Sequence, residues 1–183
     1  MHDDIAQVLY TKDEIAARVH EIGQRLTRDF ADKDPDRGIV LVCVLRGAAV
    51  FMADLAREIE LPVEMDYMAV SSYGNAAKSS GVVKVLKDLS TDIEGRHVVV
   101  AEDVIDSGLT LSRLLDELAS RRPASLSVVA LLRKDVQPQA DIDCAYVGFE
   151  CPDEFIVGYG LDYAERYRNL PYIGVLKPEI YER

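Results

Sequence analysis

Histidine and cysteine are scarce, with three of each in 183 residues. No two of His2, His20 and His97 stand four residues apart, and Cys43, Cys144 and Cys151 fit no metal-ligand spacing. A histidine-held metal, a zinc site and a disulfide framework are therefore not expected. Basic residues are outnumbered, 21 against 32 acids, for a net charge of −11. That balance argues against a nucleic-acid surface, which needs clustered Lys and Arg, although a local site can still gather positive charge around a small anion. No apolar run approaches the ~20 residues that span a bilayer. The start, Met1-His2-Asp3-Asp4, has neither the basic nor the apolar part of a secretion signal. The expectation is a cytoplasmic protein with no membrane partner.

What is present is an ordinary globular composition, 49% hydrophobic and 29% charged, long enough for one full core, so residues 1–183 are expected to form a single domain. Thr11-Lys12-Asp13-Glu14 has the form of a capping box, and Ile15, Val19, Ile22 and Leu26 follow at helical spacing. Gly38 to Leu45 reads as a buried strand, followed by a turn and a helix carrying Phe51, Met52, Leu55 and Ile59. The same order recurs at Val98 to Leu118, where Leu111, Leu114, Leu115 and Leu118 form the helical stripe. Val63 to Ser71 alternates like a strand, Ser71 to Gly81 reads as a mobile loop, and Val82 to Leu86 suits an antiparallel return. Further strands are expected at Leu126 to Leu132, Cys144 to Phe149 and Tyr172 to Val175. Strands alternating with helices imply an α/β fold with a mainly parallel central sheet flanked by helices.

The richest segment is Val98-Val99-Val100-Ala101-Glu102-Asp103-Val104-Ile105-Asp106-Ser107-Gly108-Leu109-Thr110. An apolar strand runs into two acids, a third acid and a small-residue turn that opens a helix. Parallel sheets bind ligands at the carboxyl ends of their strands. The backbone of Ser107, Gly108, Leu109 and Thr110 can turn amides toward a phosphate, aided by the helix dipole. Glu102 and Asp103 then suit ribose hydroxyls, while Asp106 faces the reacting centre. An acidic Asp-Ser-Gly turn also serves elsewhere as a plain helix cap.

The pattern resembles the phosphoribosyl-diphosphate motif of the type I phosphoribosyltransferases. With Leu45-Arg46-Gly47-Ala48, Leu131-Leu132-Arg133-Lys134 and Gly148 to Tyr163, the resemblance narrows to hypoxanthine-guanine phosphoribosyltransferases and spans about residues 40 to 172 in the family's order. It implies the family's fold, with a small hood and a flexible active-site loop in which Ser72 and Tyr73 close over the site. It implies transfer of 5-phosphoribosyl from phosphoribosyl diphosphate to hypoxanthine or guanine, giving IMP or GMP and diphosphate. Asp106 would be the general base; Arg46, Gly47 and Arg168 would hold diphosphate. Lys134 would donate to the exocyclic oxygen of a 6-oxopurine, Phe155 would cover the purine face, and Ile156 and Asp162 would meet its edge. Magnesium is the implied cofactor, with Asp162, Glu102 and Asp103 as its acids. A homodimer or homotetramer and a cis bond at Leu45-Arg46 are implied too. Leu109 stands where some relatives carry a basic residue and Ala48 where others carry glycine, so phosphate contacts by those side chains do not transfer. Two rivals remain: a nucleotide-sensing RNA-binding regulator, and a transferase for another base.

Overall fold

The computed structural model describes residues 1–72, 83–136 and 140–182, except for the side chains of Ser71, Ser72 and Val83. Tyr73 therefore lies outside the described residues, together with most of the expected closing loop, and Ser72 enters only as the last residue of a strand.

Strand β1 (Ile5–Tyr10) precedes helix α1 (Lys12–Phe30), which starts at a complete Thr11–Glu14 capping box. Then come β2 (Ile39–Leu45), α2 (Ala49–Glu58), β3 (Val63–Ser72), β4 (Val83–Lys87) and β5 (His97–Ile105). The chain continues through α3 (Leu109–Ser120), β6 (Ser125–Lys134), β7 (Tyr146–Cys151), β8 (Ile156–Val157), β9 (Ile173–Leu176) and α4 (Pro178–Tyr181). Six strands form a sheet in the order β4-β3-β2-β5-β6-β7, parallel except for the β3–β4 pair. The other three form a small antiparallel sheet, β1-β9-β8.

Alternation along the central strands sorts the core into two layers. Ile39, Leu41, Cys43, Val99, Ala101, Val129 and Leu131 pack toward α1 and α2. Val40, Val42, Val44, Val98, Val100, Val128 and Ala130 pack toward Leu111, Leu114 and Leu118 of α3. Both faces of β2 and β5 are covered, which is why their sequences are nearly continuous apolar runs. A third cluster, Val157, Tyr167, Leu170 and Leu176, underlies the small sheet. Among the described residues no helix is long and apolar enough to cross a membrane.

Four expectations shift. β5 does not end before its acids: β2 pairs with it only as far as Ala101, but β6 continues to Ile105, so Glu102 and Asp103 lie inside the strand. β7 begins two residues later than the apolar pattern, at Tyr146, and runs to Cys151 because Lys134 of β6 pairs there. Ile59 falls just beyond α2. β1 and β8 went unread because each is short and finds its partner only in β9, more than 160 residues from β1.

Asp66 locks β3 to the β4–β5 connection. It is 4% exposed and accepts hydrogen bonds from the amides of Tyr67 (2.7 Å), Ser90 (2.7 Å) and Thr91 (2.8 Å). Burial alone would raise this carboxyl, but those amides outweigh it and hold it below the ordinary carboxylate range. A lowered native pKa stabilises the fold above the unfolded value of about 3.9, and the gain is lost as pH falls toward the native value. Asp66→Ala is expected to cost about 1–3 kcal/mol in urea unfolding at pH 7 and clearly less at pH 3. An equal cost at both pH values would show that the carboxylate charge is not what stabilises.

Candidate active site

Three turns meet at the carboxyl end of the parallel strands. β2 ends at Leu45, whose peptide bond to Arg46 is cis. A Cβ added to Gly47 would lie 1.5 Å from Oδ2 of Asp103, and one added to Gly160 would lie 2.2 Å from the carbonyl oxygen of Gly47. The turn after β2 is thus held between an acid of β5 and the turn after β8. At Gly160 the φ of +105° and the backbone contact demand glycine, whereas a side chain at Gly47 would require the Asp103 carboxylate or the turn to move.

Glu102 and Asp103 are half-buried beside this turn. Burial pushes the Glu102 carboxyl well above its usual range, and the neighbouring Asp103 charge adds to the effect. Burial raises Asp103 too, against the Val104 amide, which donates to its Oδ1 at 2.8 Å, and the Arg168 guanidinium. Such a pair is poised to welcome hydroxyl donors or a cation, either of which favours the charged forms.

Beyond the acids lies a cavity of about 340 Å³ lined by Val44, Glu102, Val104 and every residue from Ile105 to Leu111. Gly108 is the N-cap of α3 at φ +73°, a left-handed turn natural to glycine. The intrahelical ladder starts with the Ser112 amide donating to the Gly108 carbonyl at 2.8 Å. The amides before it belong to the unsatisfied first turn. Among the described residues no acid sits in that turn and no side chain caps it, so the helix N-terminus presents its positive end to the cavity.

A second cavity, about 190 Å³, is lined by Val104, Asp106, Lys134, Glu154, Phe155, Ile156, Leu161 and Asp162. Asp106 and Val104 line both cavities. Lys134, at the end of β6, donates to Asp153 at 3.2 Å. The Phe155 ring stacks on Tyr181 (4.9 Å between centroids, 25°) and meets the Tyr163 ring edge-on at 5.3 Å. Arg168 donates to the Gly160 carbonyl (2.7 Å) and pairs with Asp162 (2.8 Å). Arg46 pairs with Glu165, whose other carboxylate oxygen lies 3.5 Å from Arg168.

The structure therefore gathers Glu102, Asp106 to Thr110, Lys134, Phe155, Ile156 and Asp162 around two adjoining cavities; Arg46, Gly47, Asp103 and Arg168 line neither, and join the site through the Gly47–Asp103 approach and the Arg168–Asp162 and Arg46–Glu165 pairs. Sequence reading had no view of Gly160, Glu165, Asp153 or Tyr181. Gly160 falls within the Gly148 to Tyr163 segment that carries the resemblance, but nothing in that segment assigns it a role. The reason for that glycine is its contact with Gly47, which no local pattern encodes.

A parallel sheet with an acid pair inside one strand and an open helix N-terminus after it defines a class of enzyme, and residues 7–164 match the family model described as the phosphoribosyl transferase domain. A curated hypoxanthine-guanine phosphoribosyltransferase of Bacillus subtilis is 53% identical over 182 residues, covering 100% of this chain and 99% of the relative. The chain belongs to the hypoxanthine-guanine phosphoribosyltransferases, with the type I phosphoribosyltransferase fold. A solved hypoxanthine phosphoribosyltransferase of Staphylococcus aureus superposes with a TM-score of 0.94 at 45% identity, covering 100% of this chain and 97% of that one. A Trypanosoma cruzi hypoxanthine phosphoribosyltransferase, solved with the product IMP, gives 0.92 at 39% identity over 99% of both chains.

Proposed function

We propose that this chain carries out purine salvage by moving 5-phosphoribosyl from phosphoribosyl diphosphate to N9 of hypoxanthine or guanine, yielding IMP or GMP and diphosphate. The observation that carries the reading is that Asp106 lines both the cavity at the α3 N-terminus and the cavity containing Lys134 and Phe155. A group between sugar and base is placed to take the N7 proton as the N9 bond to the ribosyl carbon forms and the bond to diphosphate breaks.

The first cavity supports binding of the 5-phosphate by the amides of Ser107, Gly108, Leu109 and Thr110, with Glu102 and Asp103 on the ribose hydroxyls. In the second, the Lys134 ammonium is donor only, so it favours the O6 acceptor of a 6-oxopurine and opposes the amino group of adenine. Phe155 offers a ring face and Ile156 a backbone edge. Arg46 and Arg168 suit diphosphate, with Gly47 letting the backbone approach.

Magnesium fits this donor set. Among the described residues no cluster of three or more His, Cys, Asp and Glu side chains could cage a metal, and magnesium usually takes only one or two carboxylates, with substrate oxygens and water supplying the rest. Glu102 and Asp103 would hold it. Asp162 does not group with those two acids around one ion; its oxygens accept from Arg168 and the Glu165 amide (2.9 Å). When bound, the ion would neutralise charge on the departing diphosphate. Ser72 and Tyr73 would close the loop over the ribosyl centre and exclude water. A cytoplasmic homodimer or homotetramer built from one domain per chain belongs to the same reading.

Purified protein incubated with phosphoribosyl diphosphate, magnesium and each of five bases tests it. IMP and GMP are expected, with no nucleotide from adenine or uracil; xanthine measures the width of the pocket. Turnover of adenine at a rate matching hypoxanthine would sink the role given to Lys134.

A further inference from the structure

Glu165 stands in the middle of the proposed diphosphate subsite with no part in the chemistry. One of its carboxylate oxygens pairs with Arg46 and the other lies 3.5 Å from Arg168. Two guanidiniums reached by separate oxygens of one carboxylate is the arrangement a diphosphate oxyanion would also satisfy. The loop sets Glu165 there deliberately. Ala164 and Glu165 both adopt left-handed backbone (φ 49° and 64°), which side-chain-bearing residues rarely do. The Glu165 amide is tied to Asp162, and Tyr163 and Arg166 close the loop by mutual backbone hydrogen bonds of 3.1 and 3.0 Å.

The contact is also easy to displace. Arg46 is 65% exposed and Glu165 59% exposed, and exposed ion pairs are weak because water and salt screen them. Arg168 is different: it keeps Asp162 and the Gly160 carbonyl whether or not Glu165 is present. Loss of the Glu165 contact therefore releases Arg46 and leaves Arg168 in position.

We propose that Glu165 is the resident counter-ion of the diphosphate subsite. It occupies Arg46 and Arg168 when diphosphate is absent, competes with it for them, and hastens its departure after transfer. The proposal rests on the reading that these two arginines bind diphosphate. Glu165 acts through them as a positioning residue and does not touch the reacting atoms.

The test is calorimetric titration of the full chain with magnesium diphosphate, for wild type, Glu165→Gln, Glu165→Asp and Arg168→Gln, with thermal unfolding of each. Glu165→Gln is expected to bind about two- to five-fold tighter, because a negative charge beside an anion is removed. Its KM for phosphoribosyl diphosphate should fall without a rise in kcat, and Glu165→Asp should stay near wild type. A purely structural role would lower unfolding temperature and would not tighten binding. If Glu165→Gln binds no tighter while Arg168→Gln binds weakly, the counter-ion proposal falls and the arginine reading stands. Equal tightening by the Gln and Asp variants would assign the effect to loop packing and also overturn it. Unchanged binding by Arg168→Gln would remove the diphosphate subsite and the proposal with it.

Discussion

Asp106→Asn is expected to lower kcat by about 10²–10⁴ while IMP affinity stays within a few-fold of wild type. The expectation follows from position. Asp106 is exposed at the common wall of the two cavities, so the amide can replace it without a cavity or a clash. Asparagine keeps the size and can still accept a hydrogen bond, but it cannot take a proton at neutral pH. If the proton on N7 must leave while N9 bonds to the ribosyl carbon, the loss appears in the chemical step and not in binding. Single-turnover measurement with bound phosphoribosyl diphosphate separates the two. Near-normal chemistry in the variant would take Asp106 out of the general-base role and leave it a structural acid of the turn.

Gly47→Ala is expected to reduce kcat/KM by about 10²-fold or more, the scale associated with roughly 1 Å misplacement of a binding group. The added methyl would lie 1.5 Å from Asp103 Oδ2. Nearby groups leave little room to yield. The other Asp103 oxygen accepts the Val104 amide at 2.8 Å, and the Gly47 carbonyl abuts Gly160. Either the acid turns away and forfeits its hydrogen bond, or the turn lifts and carries Arg46 with it. Both outcomes disturb ribose and diphosphate binding together, so weaker binding of phosphoribosyl diphosphate should accompany the loss. Unaltered kinetics in a folded variant would mean that the turn moves freely and that the close contact has no functional weight.

Much of this was legible beforehand, for reasons that are local. The capping box at Thr11 and the stripe Ile15, Val19, Ile22 and Leu26 reproduce a helix because hydrogen bonds and contacts three or four residues apart are written in adjacent sequence. β2 and the first part of β5 were visible because strands buried on both faces need unbroken apolar runs. The phosphate turn could be read because strand, acids, Gly108 and helix follow one another without interruption. Lys134 and Phe155 carried no local signal of their own, and their pairing with the turn came from the order of motifs along a resembling family.

By itself, then, the sequence determined the α/β alternation, the helix starts and the acid-rich turn, all from interactions between near neighbours in the chain, whereas the candidate site residues outside that turn came from the order of motifs in the resembling family. Tertiary structure alone decided how far β5 continues past its acids, because β6 supplies the pairing that β2 has ceased to give. It alone joined β1 to β9, seated Gly47 between Asp103 and Gly160, and brought Glu165 against Arg46. Each of those contacts joins residues far apart in the chain, and strand register and side-chain juxtaposition at such separations exist only once the sheet has been assembled.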